Sequence, residues 1–229
     1  MKIRSITLII SLALLCSFCL KSDQYKAPSI HFDLKDMKLQ IPGPKDIKEL
    51  NNYASNYFYL TKDSLMCFSL DASEQGHTAN SHFVRSELRH APNWFASEKH
   101  HLKATVKVKS EMQDYKVTVL QIHGITDKDE NAPPLLRVAV NNNTLYAFTK
   151  PDNSGDITDK TLLKDNVFNK FFTVEIIVDN NVMYILVNGE KMLTKDLHFW
   201  IYKNYFKLGC YPQVHEGKFD IYFKSFEVD

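Results

Sequence analysis

From Tyr57 onward, hydrophobic and polar residues alternate along most of the chain with a period of two, the repeat of a strand that buries one face. Leu102-Lys103-Ala104-Thr105-Val106-Lys107-Val108-Lys109 and Tyr115-Lys116-Val117-Thr118-Val119-Leu120 alternate without a break. Residues 135–140, 144–148, 171–178, 182–187 and 219–228 have the β-branched and aromatic content of further strands. Asp179-Asn180-Asn181 and Asn188-Gly189 are turn sequences between them. Only seven glycines are present, and the one helical spacing is short: Ile47 and Leu50 predict a helix over residues 45–53. The pattern predicts an all-β domain, a sandwich of two antiparallel sheets over residues 45–229. Residues 21–44 are polar, carry Pro28, Pro42 and Gly43, and read as a linker into that domain.

Three of the period-two segments have an unusual polar set. They are Arg85-Ser86-Glu87-Leu88-Arg89, Gln121-Ile122-His123 and Tyr205-Phe206-Lys207-Leu208-Gly209-Cys210-Tyr211-Pro212-Gln213. Parity sends Leu88, Ile122, Phe206, Leu208 and Cys210 to a core and the remaining polar residues to one outer face. A merely solvated face carries Lys, Glu, Thr and Ser interchangeably. Here it carries Arg, Glu, Arg, Gln, His, Tyr, Lys, Tyr and Gln, which combines anion clamps, an imidazole and phenols. That combination suits an acidic sugar polymer.

Length and charge narrow the reading. With 44% hydrophobic and 12% aromatic residues the chain can bury a sizeable core. The formal net charge is +1, and Lys2 and Arg4 supply two of the positives, so without them the balance is −1. A near-neutral protein holds a polyanion only through a local cluster, and nucleic acid is disfavoured as a partner because no basic run is present. Residues 1–20 have the form of a secretory signal: Lys2 and Arg4 precede an apolar run over residues 6–15 that is too short for a membrane span. This predicts a secreted or periplasmic protein. Cys19 offers a lipid anchor of the outer-membrane lipoprotein kind, although Ser17 and Phe18 fit such a cleavage site poorly. Cys67 and Cys210 alone remain beyond the signal, too few for a disulfide scaffold.

The three segments resemble the RSELR, QIH and YFKAGxYxQ signatures of the alginate lyases of polysaccharide lyase family 7. They stand in the family's order, and the third departs by Leu208 where Ala is usual. The resemblance implies a β-jelly roll with an open substrate groove on one sheet, alginate as the partner, β-elimination as the reaction, and Arg85, Gln121, His123 and Tyr211 at the catalytic positions. Breaking a polyuronate at O4 requires a neutralised carboxylate, a base for the C5 proton and an acid for the leaving oxygen. Arg85 and Gln121 suit the carboxylate, His123 the base or a third stabiliser, and Tyr211 the acid or both proton transfers. Glu87, lying between Arg85 and Arg89, is expected to align the two guanidiniums. With Arg89, Arg137, Tyr205, Lys207 and Gln213 it forms the expected substrate-binding set.

Other chemistries find no support. Asp127, Asp129 and Glu130 lack the EF-hand pattern and read as a solvated loop, so neither a metal nor another cofactor is expected. Cys210 points to the core by parity, and a glutamate between arginines is a poor general acid for hydrolysis. Two polar stretches, residues 71–82 and 124–134, are expected as loops at the groove mouth. Trp94 and Trp200 could stack on sugar or lie buried. Two other readings stay open: a lyase for another polyuronate such as glucuronan, and a non-catalytic jelly roll that only binds acidic polysaccharide. A monomer cutting within the polymer, with guluronate-containing blocks favoured, is the leading expectation. It rests on Ile122, because family members with Ile between Gln and His are associated with guluronate.

Overall fold

The alternating segments pair into two antiparallel seven-stranded sheets in the structure, a computed structural model that describes residues 25–43, 46–76, 82–128 and 130–229. The signal-like N-terminus with Cys16 and Cys19, part of the loop at 71–82, and Asp129 lie outside those residues.

One sheet, the front, runs in the order β1 (Met37–Gln40), β4 (Ser86–His90), β13 (Lys203–Pro212), β6 (Lys116–Ile125), β7 (Asn131–Asn141), β8 (Thr144–Thr149) and β9 (Asp159–Lys164). The back sheet is β12 (Glu190–Asp196), β11 (Val182–Val187), β10 (Phe172–Asp179), β5 (His100–Ser110), β14 (Lys218–Val228), β3 (Met66–Asp71) and β2 (Phe58–Leu60). This is the expected jelly-roll sandwich. Leu88, Ile122, Phe206, Leu208 and Cys210 are fully buried on the inner face of the front sheet, as their parity requires. Val106, Val108, Ile176, Phe219 and Phe223 meet them from the back sheet. Each such side chain contributes about 1.5–3 kcal/mol on leaving water, so the core alone can hold a sandwich that has no disulfide. Cys67 and Cys210 are both free and buried.

Several expectations change. The described part of the stretch read as a linker belongs to the domain. Lys26 bridges Leu60, Phe32 and Leu34 join the core, and Met37–Gln40 is an edge strand on β4. Its four-residue alternation was too short to stand out among polar neighbours. Residues 46–53 form no helix. Ile47 instead exchanges two 2.8 Å backbone hydrogen bonds with Leu39, and a helix of this length is marginal unless packing favours it. The expected loop at 124–134 is largely strand: β6 runs to Ile125, β7 starts at Asn131, and Thr126 N–H donates to Glu130 O at 2.9 Å to close the hairpin. Its polarity had marked it as loop, but Pro133 and Pro134 fall where the β6–β7 register shifts, the place a strand tolerates a residue without an N–H. Trp94 and Trp200 are buried and offer no sugar platform. Among the described residues no helix is long and apolar enough to cross a membrane.

Candidate active site

The front sheet places the three segments side by side. Lys207 on β13 lies between Arg89 of β4 and Gln121 of β6; Tyr205 faces His123, and Gln121 faces Arg137 of β7. Close approach of β13 to β4 depends on Gly209. At φ +148° it already has a backbone that side chains rarely adopt, and a Cβ there would lie 2.4 Å from Ser86 O and 2.7 Å from Glu87 Cα. The outer face forms a cleft of about 670 Å3 whose walls include Arg85, Gln121, His123, Arg137, Tyr205, Lys207 and Tyr211.

The floor is a buried ion pair. Glu87 and Lys207 are each 1% exposed. Lys207 Nζ donates to Glu87 Oε2 at 2.6 Å, Gln121 Nε2 donates to Oε1 at 2.5 Å, and Arg85 Nη1 stands 3.6 Å from Oε2. A carboxylate only accepts, so the Gln121 atom facing it must be the nitrogen, and this fixes the amide with its second N–H and its Oε1 left for the cleft. Burial works against the Glu87 charge, but Lys207 and Arg85, with the hydrogen bonds from Lys207 and Gln121, outweigh it and hold the carboxyl below its usual range. Two cations share this one acid. Lys207 is therefore under-compensated: burial lowers it to about 8 against the pull of Glu87, and Arg85 adds repulsion.

His123 stacks on Tyr205 with ring centres 5.2 Å apart and planes 16° from parallel, and Arg89 Cζ lies 3.9 Å over the other ring contact of that stack, Tyr205. The imidazole Nδ1 is 2.9 Å from Gly124 O. A carbonyl cannot donate, so Nδ1 carries the hydrogen and Nε2 keeps its lone pair. Burial, then the Lys207 charge, lowers His123 to about 4, so the ring is neutral at ordinary pH. Arg85 Cζ sits 4.4 Å over the Tyr211 ring, and Phe83 meets that ring edge-on. The Arg85 Nε is buried and has no hydrogen-bond partner among the described residues. The cleft thus offers, within one wall, a guanidinium and an amide for a carboxylate, a neutral imidazole and a phenol.

Not every predicted residue lines it. Glu87 lies under the floor and pairs with Arg85 and Lys207; no ion pair joins it to Arg89, which instead donates to Asn93 Oδ1 at 3.3 Å. Arg89 opens onto a second hollow of about 770 Å3 beyond β1, where Lys35, Lys38 and Lys48 mix with Asp33, Asp36 and Glu49 and give no single-signed field. Gln213 is occupied: its Oε1 accepts from Thr118 Oγ1 at 2.9 Å and its Nε2 donates to the Tyr211 carbonyl. Sequence reasoning missed Gln40, Asn131 and Ala132 on the cleft wall. Gln40 carried a signal, since it alternates with Leu39 and faces Glu87 in register, but it stood in the stretch read as linker. Among the described residues no group of three or more His, Cys, Asp or Glu could hold a metal.

Comparison with known proteins gives a consistent picture. The alginate lyase family model matches residues 32–228. The solved structure of alginate lyase A1-II', a member of polysaccharide lyase family 7, is similar at 30% identity and TM-score 0.82, covering 89% of this chain and 98% of that one. A variant of A1-II' in complex with substrate (GGMG) is similar at 29% identity and TM-score 0.81, covering 89% of this chain and 96% of that one. The alginate lyase PA1167 from Pseudomonas aeruginosa is similar at 26% identity and TM-score 0.76, covering 86% and 99%. Among curated proteins nothing matches.

Proposed function

This chain belongs to the alginate lyases of polysaccharide lyase family 7, and from that premise we propose that it cuts alginate within the polymer, at guluronate-containing blocks, with Arg85, Gln121, His123 and Tyr211 as its catalytic groups. The observation that carries the reading is the neutral His123 with a free Nε2 beside the Arg85 and Gln121 donors, in one cleft with Tyr211.

A uronate carboxylate enters between Arg85 and the free N–H of Gln121, where its charge is neutralised and the C5 hydrogen becomes acidic. The base takes that proton, and the electron pair delocalises into the carboxylate as an enolate-like intermediate. Its collapse forms the C4=C5 double bond and expels O4, which Tyr211 protonates. In mannuronate the C5 hydrogen and the C4 oxygen share one side of the ring, so Tyr211 can serve as both base and acid. In guluronate they lie on opposite sides, and His123 Nε2 is the group available to take the proton from the far face. Glu87 and Lys207 act as positioning residues, because both are buried and together they fix the Gln121 amide. The complex of A1-II' with substrate supports polysaccharide binding on this fold. A cleft lined from Gln40 on β1 to Arg137 on β7 supports passage of a chain across the strands, as cutting within the polymer requires. The signal-like residues 1–20 support secretion.

The test is absorbance in the far ultraviolet while the protein acts separately on guluronate-rich, mannuronate-rich and glucuronate polymers, since elimination creates a conjugated double bond and hydrolysis does not. The reading expects the fastest rise on guluronate-rich polymer, with His123→Ala losing that activity more completely than any on mannuronate. Equal loss on both would make His123 a shared stabiliser of the carboxylate. A faster rise on glucuronate polymer would favour a glucuronan lyase.

A further inference from the structure

Beyond Arg137 the front sheet carries charge that the mechanism does not use. Arg137 faces Phe148 of β8, and Phe148 faces Lys160 of β9. Both Val119 and Leu120 are buried, and the register shift there turns Lys116 of β6 onto the same outer face. Lys116 Nζ lies 4.1 Å from the centre of the Phe148 ring; Arg137 Cζ is 5.7 Å and Lys160 Nζ 5.9 Å from it, and Lys160 Nζ is 3.9 Å from the centre of Tyr146. Three cations therefore surround two aromatic rings whose centres are 6.1 Å apart. None of the three makes an ion pair among the described residues. Lys116 feels the crowding: burial, then the charges of Arg137 and Lys160, lowers its pKa. Gathering like charges without a counter-ion is unfavourable in the free protein and is relieved by an anion.

We propose that Lys116, Tyr146, Phe148 and Lys160, continuing from Arg137, form an outer strip that holds uronate units of the same polymer beyond the one that reacts. This rests on the lyase reading above. Adjacent strands stand about 4.8 Å apart, close to the length of one sugar ring, so each strand crossed from β6 towards β9 advances the polymer by roughly one unit. A uronate has a carboxylate for a lysine and an apolar ring face for Phe148 or Tyr146, and the strip presents both kinds of partner at that spacing. The enzyme would draw binding energy from units remote from the cut and discriminate by polymer length.

The experiment compares kcat/KM on long guluronate-rich polymer with that on a guluronate trimer, for wild type, Lys116→Ala/Lys160→Ala, and a charge-matched control on the back sheet, Lys109→Ala/Lys224→Ala. Both strip lysines reach the surface, so the fold should survive, and circular dichroism checks it. Two exposed charge contacts are together worth on the order of fivefold to tenfold, so the polymer-to-trimer ratio should fall by about that factor through KM in the strip variant alone. An unchanged ratio, or an equal fall in the control, overturns the strip. Should wild type release no unsaturated product from any polyuronate, the lyase reading fails, and retardation in an alginate-containing native gel then judges the strip by itself. Loss of retardation in the strip variant supports the strip, and equal retardation overturns it.

Discussion

Replacing Lys207 by Met removes the ammonium from the cleft floor while keeping an unbranched chain of similar length, and leaves Glu87 buried beside Arg85 alone. Breaking a buried pair by deleting one partner costs about 3–5 kcal/mol. Arg85 still stands 3.6 Å from the carboxylate, so the lower end, about 3 kcal/mol, is expected. At roughly 2–4 °C per kcal/mol for a domain of this size, the melting temperature should drop by about 6–12 °C. The double variant Glu87→Leu/Lys207→Met removes both charges, and a buried pair replaced by apolar side chains is often neutral. It should therefore regain about 2 kcal/mol over Lys207→Met, a coupling typical of groups in direct contact. Turnover should not return with it. In the double variant nothing fixes the Gln121 amide, and losing one oriented donor to the developing negative charge costs about a hundredfold to a thousandfold in kcat. Thermal and urea unfolding followed by circular dichroism read the stability, and initial rates of double-bond formation read the activity. A Lys207→Met protein that melts with wild type, or a double variant that recovers turnover along with stability, would refute the argument that this pair positions Gln121. The pH dependence has a definite sign. The Glu87 carboxyl is held below its ordinary range, so its stabilisation is present at neutral pH and disappears as pH falls through the folded value; acid unfolding of wild type should be steeper than that of the double variant.

Tyr211→Phe removes one oxygen and leaves the ring beneath Arg85, so polymer binding should persist while kcat falls by about a hundredfold to ten-thousandfold; a rate within a few-fold of wild type would assign the proton to another group. His123 must be neutral to accept a proton, so kcat/KM on guluronate-rich polymer should decline only as pH falls towards about 4, and a limb centred on the ordinary histidine range would contradict the burial argument. Activity should survive exhaustive chelation, because in the proposed mechanism Arg85 and Gln121 neutralise the carboxylate themselves; loss with chelator and return with calcium, with the fold intact, would count against that clamp.

The sequence carried the sandwich and the two faces of its front sheet, because parity is local: Leu88, Ile122, Phe206, Leu208 and Cys210 needed no partner to be assigned inward. It did not carry depth. Glu87 and Lys207 alternate like solvated residues, yet neighbouring strands on both sides leave them about as buried as the core, and only register makes them partners across 120 positions. The partner of Arg89 was misread for the same reason. Two residues apart on one strand, Glu87 and Arg89 share a face, but the lysine arriving from β13 takes the carboxylate first. Edge strand β1 was lost because four residues between prolines and charges give too little periodicity to count. His123 was legible as a residue but not as a tautomer, since the contact that sets it, Nδ1 to the carbonyl of the next residue Gly124, depends on the ring's rotamer and not on the sequence.

A near-neutral chain can hold a polyanion because the sandwich separates its charges by face. Arg85, Arg137 and Lys207 line the cleft and, among the described residues, no Asp or Glu does; the carboxylate at the floor, Glu87, is sealed beneath it and already committed to Lys207 and Arg85. On the outer surface of the back sheet, acids and bases instead neutralise one another, as Glu175 does with Lys103. Solvated pairs of that kind are screened within about 8 Å at physiological salt and contribute little at the opposite face. The field in the cleft is therefore set by its own few cations inside low-dielectric walls, where it is focused instead of averaged away. The same arrangement explains why Glu87 must be buried. An exposed carboxylate in that position would repel the uronate that the proposed mechanism assigns to Arg85 and Gln121, whereas a buried one orients both donors and leaves the mouth positive.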